Sequence, residues 1–124
     1  MTKFTRVLAL AMLCVVGGLA HAADVSGTWT ASFDTQVGKQ DYTYVLKVDG
    51  AALSGTAKSN LLGDSTLLDG KVDGNKISFV ENANFQGMPF RIAYTGQMTS
   101  ADEIKFTRQV ADIATENFTA KRVK

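Results

Sequence analysis

A chain of 124 residues favours a single domain. Its 13 Lys and Arg against 12 Asp and Glu create no strong field, which argues against nucleic acid or an anionic membrane as a partner. With one Cys and one His, the chain also lacks the residues for a disulfide framework or a histidine-rich metal site.

The first segment predicts export. Lys3 and Arg6 give a positive start, and the run from Val7 to Val16 is apolar and uncharged. That run is too short to span a bilayer as a helix. Residues 20–22 then supply the small-x-small pattern cut by signal peptidase. We therefore expect a cleavable signal peptide at 1–22, one domain at 23–124, and a secreted or periplasmic protein.

Cleavage would also narrow the chemistry. Lys3, Arg6, Cys14 and His21 would be lost, which leaves 11 basic residues against 12 acidic ones and a net charge of −1. A domain without Cys or His builds no Ser-His-Asp triad, Cys-His pair or histidine zinc site. We expect no cofactor, no metal, no nucleic acid and no membrane insertion after signal cleavage.

Period-two alternation dominates residues 23–124 and predicts strands. Asp49-Gly50 and Asp73-Gly74-Asn75 are strong hairpin turns, because Gly and Asn accept positive φ at low cost. The predicted strands are 27–33, 41–48, 52–58, 66–72, 76–82, 89–98, 103–109 and 116–123. Sequential hairpins with one apolar face either close into a barrel or form a sandwich. We favour an all-β, antiparallel up-and-down barrel of about eight strands, because closure removes exposed edges.

The two ends of the domain carry a family resemblance. Gly27-Thr28-Trp29 opens the first strand, and Arg122 lies near the end of the last. This arrangement resembles the calycin-like proteins, namely lipocalins, fatty-acid-binding proteins and avidin-like proteins. The resemblance implies a structural latch in which the Trp29 indole packs under the Arg122 guanidinium and closes the barrel base.

A closer resemblance covers Ser26 to Lys124. The chain is similar to small secreted bacterial barrel domains without a settled activity, some of which are appended to exported glycoside hydrolases. The stretches that carry it are Lys47 to Gly50, Gly70 to Gly74, Asn84 to Met88, Asp102 to Arg108 and Ala120 to Lys124. It implies the fold and a secreted habitat.

The alternation also assigns an inward face. The residues on it are Trp29, Phe33, Tyr42, Tyr44, Leu46, Leu68, Phe79, Tyr94, Phe106 and Phe118. An eight-stranded barrel is only just wide enough for side chains to fill it, or for one small ligand. These side chains therefore either form the core or line a pocket at the barrel mouth.

Three charged residues share the inward phase: Arg122, which we expect to form the latch over Trp29, and Glu81 and Arg108. Glu81 and Arg108 either pair with each other across the barrel, or leave Arg108 free to hold a ligand carboxylate, or sit at strand ends in water without a special role. The candidate ligand-binding residues are Phe33, Tyr42, Tyr44, Glu81, Phe85, Met88, Tyr94 and Arg108.

Three longer connections, 34–41, 82–90 and 110–116, would form a binding rim if they share one end of the barrel. The polar candidates on that rim are Gln36, Gln40, Asn82, Asn84, Gln86 and Glu116. The connection 82–90 is too apolar for a plain turn, so Phe85 and Met88 should plug or overhang an opening.

The sequence favours a secreted barrel, monomeric or weakly oligomeric, that holds a small, partly apolar molecule at its mouth. One alternative is an accessory domain that binds a glycan, which would need exposed coplanar aromatic side chains. Another is a small hydrolase or isomerase with carboxylate or tyrosine chemistry, for instance through Asp34 with Glu116 or Glu81 with Asp112. Nothing in their spacing demands such a pair, and we favour binding over catalysis.

Overall fold

The computed structural model describes residues 24–124, so the predicted signal peptide and Cys14 lie outside the described residues. This part of the chain forms eight strands joined by tight turns. The strands are β1 (Gly27–Thr35), β2 (Gly38–Asp49), β3 (Ala52–Ser59), β4 (Gly63–Asp73), β5 (Lys76–Phe85), β6 (Met88–Ser100), β7 (Glu103–Val110) and β8 (Ala114–Arg122). Over these residues, no helix has the length and apolar character needed to cross a membrane.

The sheet closes on itself. Each strand pairs antiparallel with its sequence neighbours, and β8 pairs antiparallel with β1. The closing register is short, with Trp29 opposite Arg122 and Thr30 opposite Lys121, and the Val123 amide donates to the Thr28 carbonyl at 2.8 Å. The predicted eight-stranded up-and-down barrel is therefore confirmed over the sandwich.

The turns divide between two ends of the barrel. The β1–β2, β3–β4, β5–β6 and β7–β8 turns lie at one end, here called the mouth, and the other three turns and both termini of the described chain lie at the base. The three predicted rim segments do share the mouth. They are much shorter than expected, because the strands continue to turns at residues 36–37, 86–87 and 111–113. Gln86 and Gly87 both have positive φ, which suits a two-residue hairpin.

The inward phase holds on most strands but shifts in β4. Leu68 was expected to face inward, and this prediction is wrong: Leu68 is 43% exposed, whereas Leu67 is 5% exposed. Pairing with β5 slips between Leu68 and Lys71, and Asp69 has φ 54°, as in a β-bulge. Gly70 fits beside it because a Cβ there would lie 1.8 Å from the Leu53 carbonyl oxygen.

The base is closed by Arg122. Its guanidinium carbon lies 4.4 Å from the centroid of the Trp29 ring. Its three nitrogens donate to the carbonyl oxygens of Asp24 at 2.8 Å, Ser26 at 2.7 Å and Ala101 at 2.8 Å. The Trp29 indole N–H donates to the Val25 carbonyl at 2.9 Å. One side chain thus joins the start of the described chain, the β6–β7 turn and the last strand.

Candidate functional site

The barrel interior contains a buried polar network centred on Glu81. Tyr94 donates to Glu81 Oε1 at 2.6 Å, and Tyr42 lies within hydrogen-bond distance of both carboxylate oxygens, at 3.1 and 3.0 Å. Ser65 donates to Oε2 at 3.4 Å, and Tyr44 donates to the Tyr94 hydroxyl at 3.0 Å. These groups satisfy a carboxylate that has no access to solvent.

Arg108 continues the network toward the mouth. Its Nη1 donates to the Tyr94 hydroxyl at 3.0 Å, and its Nε donates to Glu116 Oε1 at 2.7 Å. The guanidinium carbon lies 4.7 Å from the centroid of the Phe33 ring. The predicted pair of Glu81 with Arg108 is not a direct contact, because Tyr94 stands between them. Arg108 forms its ion pair with Glu116 instead.

The Tyr94 hydroxyl fixes the direction of every hydrogen bond around it. A hydroxyl has one donor and two acceptor positions. Tyr94 accepts from Arg108 and Tyr44, so its own proton goes to Glu81. Arg108 is therefore held on two sides, by Tyr94 and by Glu116.

Burial dominates the acid–base behaviour of this network. It raises the pKa of Glu81, and the hydrogen bonds from Tyr94 and Tyr42 oppose that rise. Burial, together with the charge of Glu81, raises the pKa of Tyr42 to about 12. The pKa values of Tyr44 and Tyr94 also lie well above the usual range, chiefly because of burial. The tyrosines are therefore hydrogen-bond donors at neutral pH.

A cavity of about 190 Å³ opens at the mouth, above this network. Most of its lining is apolar, and Arg108, Glu116 and Gln40 bring polar groups to it. The lining residues are Thr35, Gln36, Val37, Gln40, Leu62, Phe85, Met88, Phe90, Arg108, Val110, Ile113, Ala114 and Glu116.

Arg108 is the unusual member of this lining. It is 1% exposed, and its Nη2 has no acceptor in hydrogen-bond geometry among residues 24–124. Buried polar groups are normally paired, and those of arginine carry a charge that makes an unused donor costly. Arg108 therefore brings a fixed and almost fully buried guanidinium to the lining of an apolar cavity.

Gln40 is held in a similar way. The Thr35 hydroxyl donates to the Gly38 carbonyl at 2.7 Å, so it accepts from Gln40 Nε2 at 3.1 Å. The Gln40 Oε1 accepts from Ser59 at 3.4 Å. The second N–H of the Gln40 amide has no acceptor in the described part of the chain.

The structure separates the predicted site residues into two groups. Phe85, Met88 and Arg108 line the mouth cavity. Beneath it, packed in the interior, lie Phe33, Tyr42, Tyr44, Glu81 and Tyr94. Stacked rings fill that interior, as in Phe33 against Phe118 at 4.1 Å between centroids. Of the polar rim candidates, the lining includes Gln36, Gln40 and Glu116 and leaves out Asn82, Asn84 and Gln86.

Several lining residues were not predicted. Thr35, Val110 and Ala114 fell in segments assigned to connections, although each continues the alternation of a neighbouring strand. Thr35 follows Phe33 by two positions, and Val110 follows Arg108 by two. Extending the period of two to the turns would have found them.

The described residues give little support to the two alternative functions, glycan binding and carboxylate or tyrosine catalysis. The exposed large apolar side chains there include no aromatic residue, so the outer wall offers no stacking platform for a glycan. Glu81 and Glu116, proposed as halves of catalytic pairs, are instead engaged by the tyrosines and by Arg108. Residues 24–124 contain no group of three or more His, Cys, Asp or Glu that could hold a metal ion.

The fold defines a closed eight-stranded antiparallel barrel, compatible with the calycin-like fold. Comparisons with protein-family models, curated proteins and solved structures found no match for this chain.

Proposed function

We propose that this protein binds a small, partly apolar molecule in the mouth cavity, with Arg108 as the residue that orients it. The observation that carries the proposal is a buried guanidinium that is 1% exposed, is fixed by Tyr94 and Glu116, lines an apolar cavity, and makes no hydrogen bond in good geometry through Nη2 within residues 24–124. A ligand acceptor would satisfy that donor, and the apolar lining would bury the rest of the molecule.

The rim supports the same conclusion. Six large apolar side chains are exposed in the described chain, and three of them, Val37, Met88 and Ile113, line this cavity. Clustered exposed apolar side chains commonly mark binding sites. We infer that a bound molecule covers them.

The size of the cavity limits the ligand. Its volume of about 190 Å³ is below the roughly 300–1,000 Å³ typical of sites for drug-sized molecules. The ligand is therefore compact, or it inserts one end and leaves the remainder against the rim.

The cellular location, the family and the oligomeric state are also proposals. The apolar segment before Ala22 supports secretion or periplasmic export, and the Trp29–Arg122 contact supports membership of the calycin-like proteins. We propose a monomer or weak oligomer that takes up its ligand outside the cytoplasm.

The proposal can be tested by screening ¹⁵N-labelled protein against small neutral ketones, alcohols and amides by NMR. We expect shifts confined to the residues that line the mouth cavity. Ala114→Trp fills the cavity and should abolish them. Thr115→Trp places the same side chain on the outer face and should leave them unchanged. Absence of cavity shifts with every compound, or equal binding by the two variants, would refute the proposal.

A further inference from the structure

Resting on the proposed function, we infer that the mouth cavity selects an uncharged amide-type group, a carbonyl beside an N–H, and rejects carboxylates. The inference comes from which hydrogen-bonding atoms of Arg108 and Glu116 are already used. It specifies the polar head of the ligand, which the proposed function leaves open.

Arg108 offers only part of its donor set. Bidentate binding of a carboxylate uses two parallel N–H groups of the guanidinium. Glu116 occupies Nε at 2.7 Å, so the parallel pair of N–H groups on Nε and Nη2 is no longer open to a second carboxylate. Tyr94 takes one of the two N–H groups of Nη1 at 3.0 Å, and Nη2 makes no hydrogen bond in good geometry to residues 24–124. A single carbonyl oxygen needs only one of the donors that remain.

Glu116 offers the complementary acceptor. Its Oε1 is used by Arg108, whereas its Oε2 accepts no hydrogen bond from residues 24–124. Glu116 lines the cavity and its side chain is 14% exposed, so the side chain as a whole is mostly shielded from bulk water. Because Arg108 and Glu116 form one ion pair and both line the cavity, the cavity offers a ligand donors from the one and an acceptor from the other. An amide carries the opposite pair, an acceptor beside a donor.

Charge balance points the same way. The guanidinium is already neutralised by Glu116, and Glu81 stands one hydroxyl further in. A carboxylate ligand would add a second anion to the same guanidinium in a largely dry site, where unpaired charge is costly. An uncharged amide adds none.

The test uses three compounds of one shape: isovaleramide, isovalerate and 4-methylpentan-2-one. Their dissociation constants are measured by NMR titration at pH 7.5. We expect isovaleramide to bind at least about tenfold more tightly than isovalerate, a difference of about 1.4 kcal/mol. It should also bind measurably more tightly than the ketone, which lacks the N–H.

Glu116→Gln tests the cause. It removes the competing anion and should narrow the preference for isovaleramide over isovalerate to less than about threefold, because Arg108 then becomes available to a carboxylate. Asp112→Asn makes the same change in charge on the exposed β7–β8 turn and should leave the preference unchanged.

The outcomes separate the two proposals. Isovalerate or the ketone binding as tightly as isovaleramide, or Asp112→Asn acting like Glu116→Gln, would overturn the amide inference and leave the binding function standing. Failure of these three and of every compound in the wider screen to bind the cavity would overturn both.

Discussion

The Tyr94 hydroxyl should be the most valuable single polar group for stability in the barrel. It makes three buried hydrogen bonds, of which those with Glu81 at 2.6 Å and Arg108 at 3.0 Å involve charged partners. The third, from Tyr44, is between neutral groups. Tyr94→Phe keeps the ring and removes all three.

The magnitude follows from the partners left behind. A hydrogen bond to a charged group contributes about 1.5–3 kcal/mol and a neutral one about 1 kcal/mol, and an unpaired buried partner adds its own cost. We expect Tyr94→Phe to lower the free energy of unfolding by about 4–7 kcal/mol, a large part of the roughly 5–15 kcal/mol typical of a domain. Tyr44→Phe should cost about 1 kcal/mol, because it removes one neutral bond at 3.0 Å.

Tyr42→Phe supplies an intermediate case. Its hydroxyl lies within hydrogen-bond distance of Glu81, at 3.1 and 3.0 Å, and close to Arg108, so the loss should be about 1.5–3 kcal/mol. The three variants share a buried ring and differ only in hydrogen-bond partners. Urea unfolding with a common m-value gives the order. If the loss in free energy of unfolding for Tyr94→Phe lies within about 1 kcal/mol of the loss for Tyr44→Phe, the Tyr94 hydroxyl does not make the three hydrogen bonds that the distances indicate.

Two further predictions concern pH and the base. The raised pKa of Glu81 means that the folded state binds the Glu81 proton more tightly than the unfolded chain does, so protonation of Glu81 stabilises the fold. This stabilisation is fully present below the unfolded pKa near 4.5 and is lost as pH rises through the folded pKa. The test is urea unfolding of wild type and Glu81→Gln from pH 4 to 8. The unfolding free energy of wild type minus that of Glu81→Gln should fall with rising pH, by at most about 1.4 kcal/mol per pH unit. A flat or rising difference would contradict the raised pKa of Glu81. At the base, Arg122→Lys should lower the free energy of unfolding by about 2 kcal/mol or more, because one ammonium cannot reach the three carbonyls that the planar guanidinium joins. The control, Arg91→Lys on the exposed face of β6, should change it by less than about 0.5 kcal/mol. Equal effects of the two lysine variants in thermal unfolding would show that the contacts of Arg122 do not stabilise the barrel base.

The closed barrel was predictable because its signals are local. The alternation around Tyr42 and Tyr44 and the turn at Asp73-Gly74-Asn75 each depend on a few neighbouring residues. Leu68 shows where this fails. A bulge at Asp69 reverses the phase, and positive φ at a non-glycine residue leaves no reliable mark in the sequence.

The site was harder to predict because it depends on which partner each charge finds. Alternation correctly turned Glu81 and Arg108 inward, but inward-facing charges on different strands can meet in several ways. Their actual separation depends on the Tyr94 hydroxyl, which lies 2.6 Å from Glu81 and 3.0 Å from Arg108. No spacing within the chain encodes that geometry.

The division between core and cavity follows from the same partners. Phe33, Tyr42 and Tyr94 surround Arg108, with ring centroids between 4.7 and 5.8 Å from its guanidinium carbon. Those rings use the space beneath the guanidinium, and Glu116 holds it from the side. Of the two predicted roles for these aromatic residues, core or pocket lining, Phe33, Tyr42 and Tyr94 take the first: they pack in the interior beneath the mouth cavity and do not line it. The groups that remain for a ligand are Nη2 of Arg108, the apolar lining of the cavity, and Oε2 of Glu116.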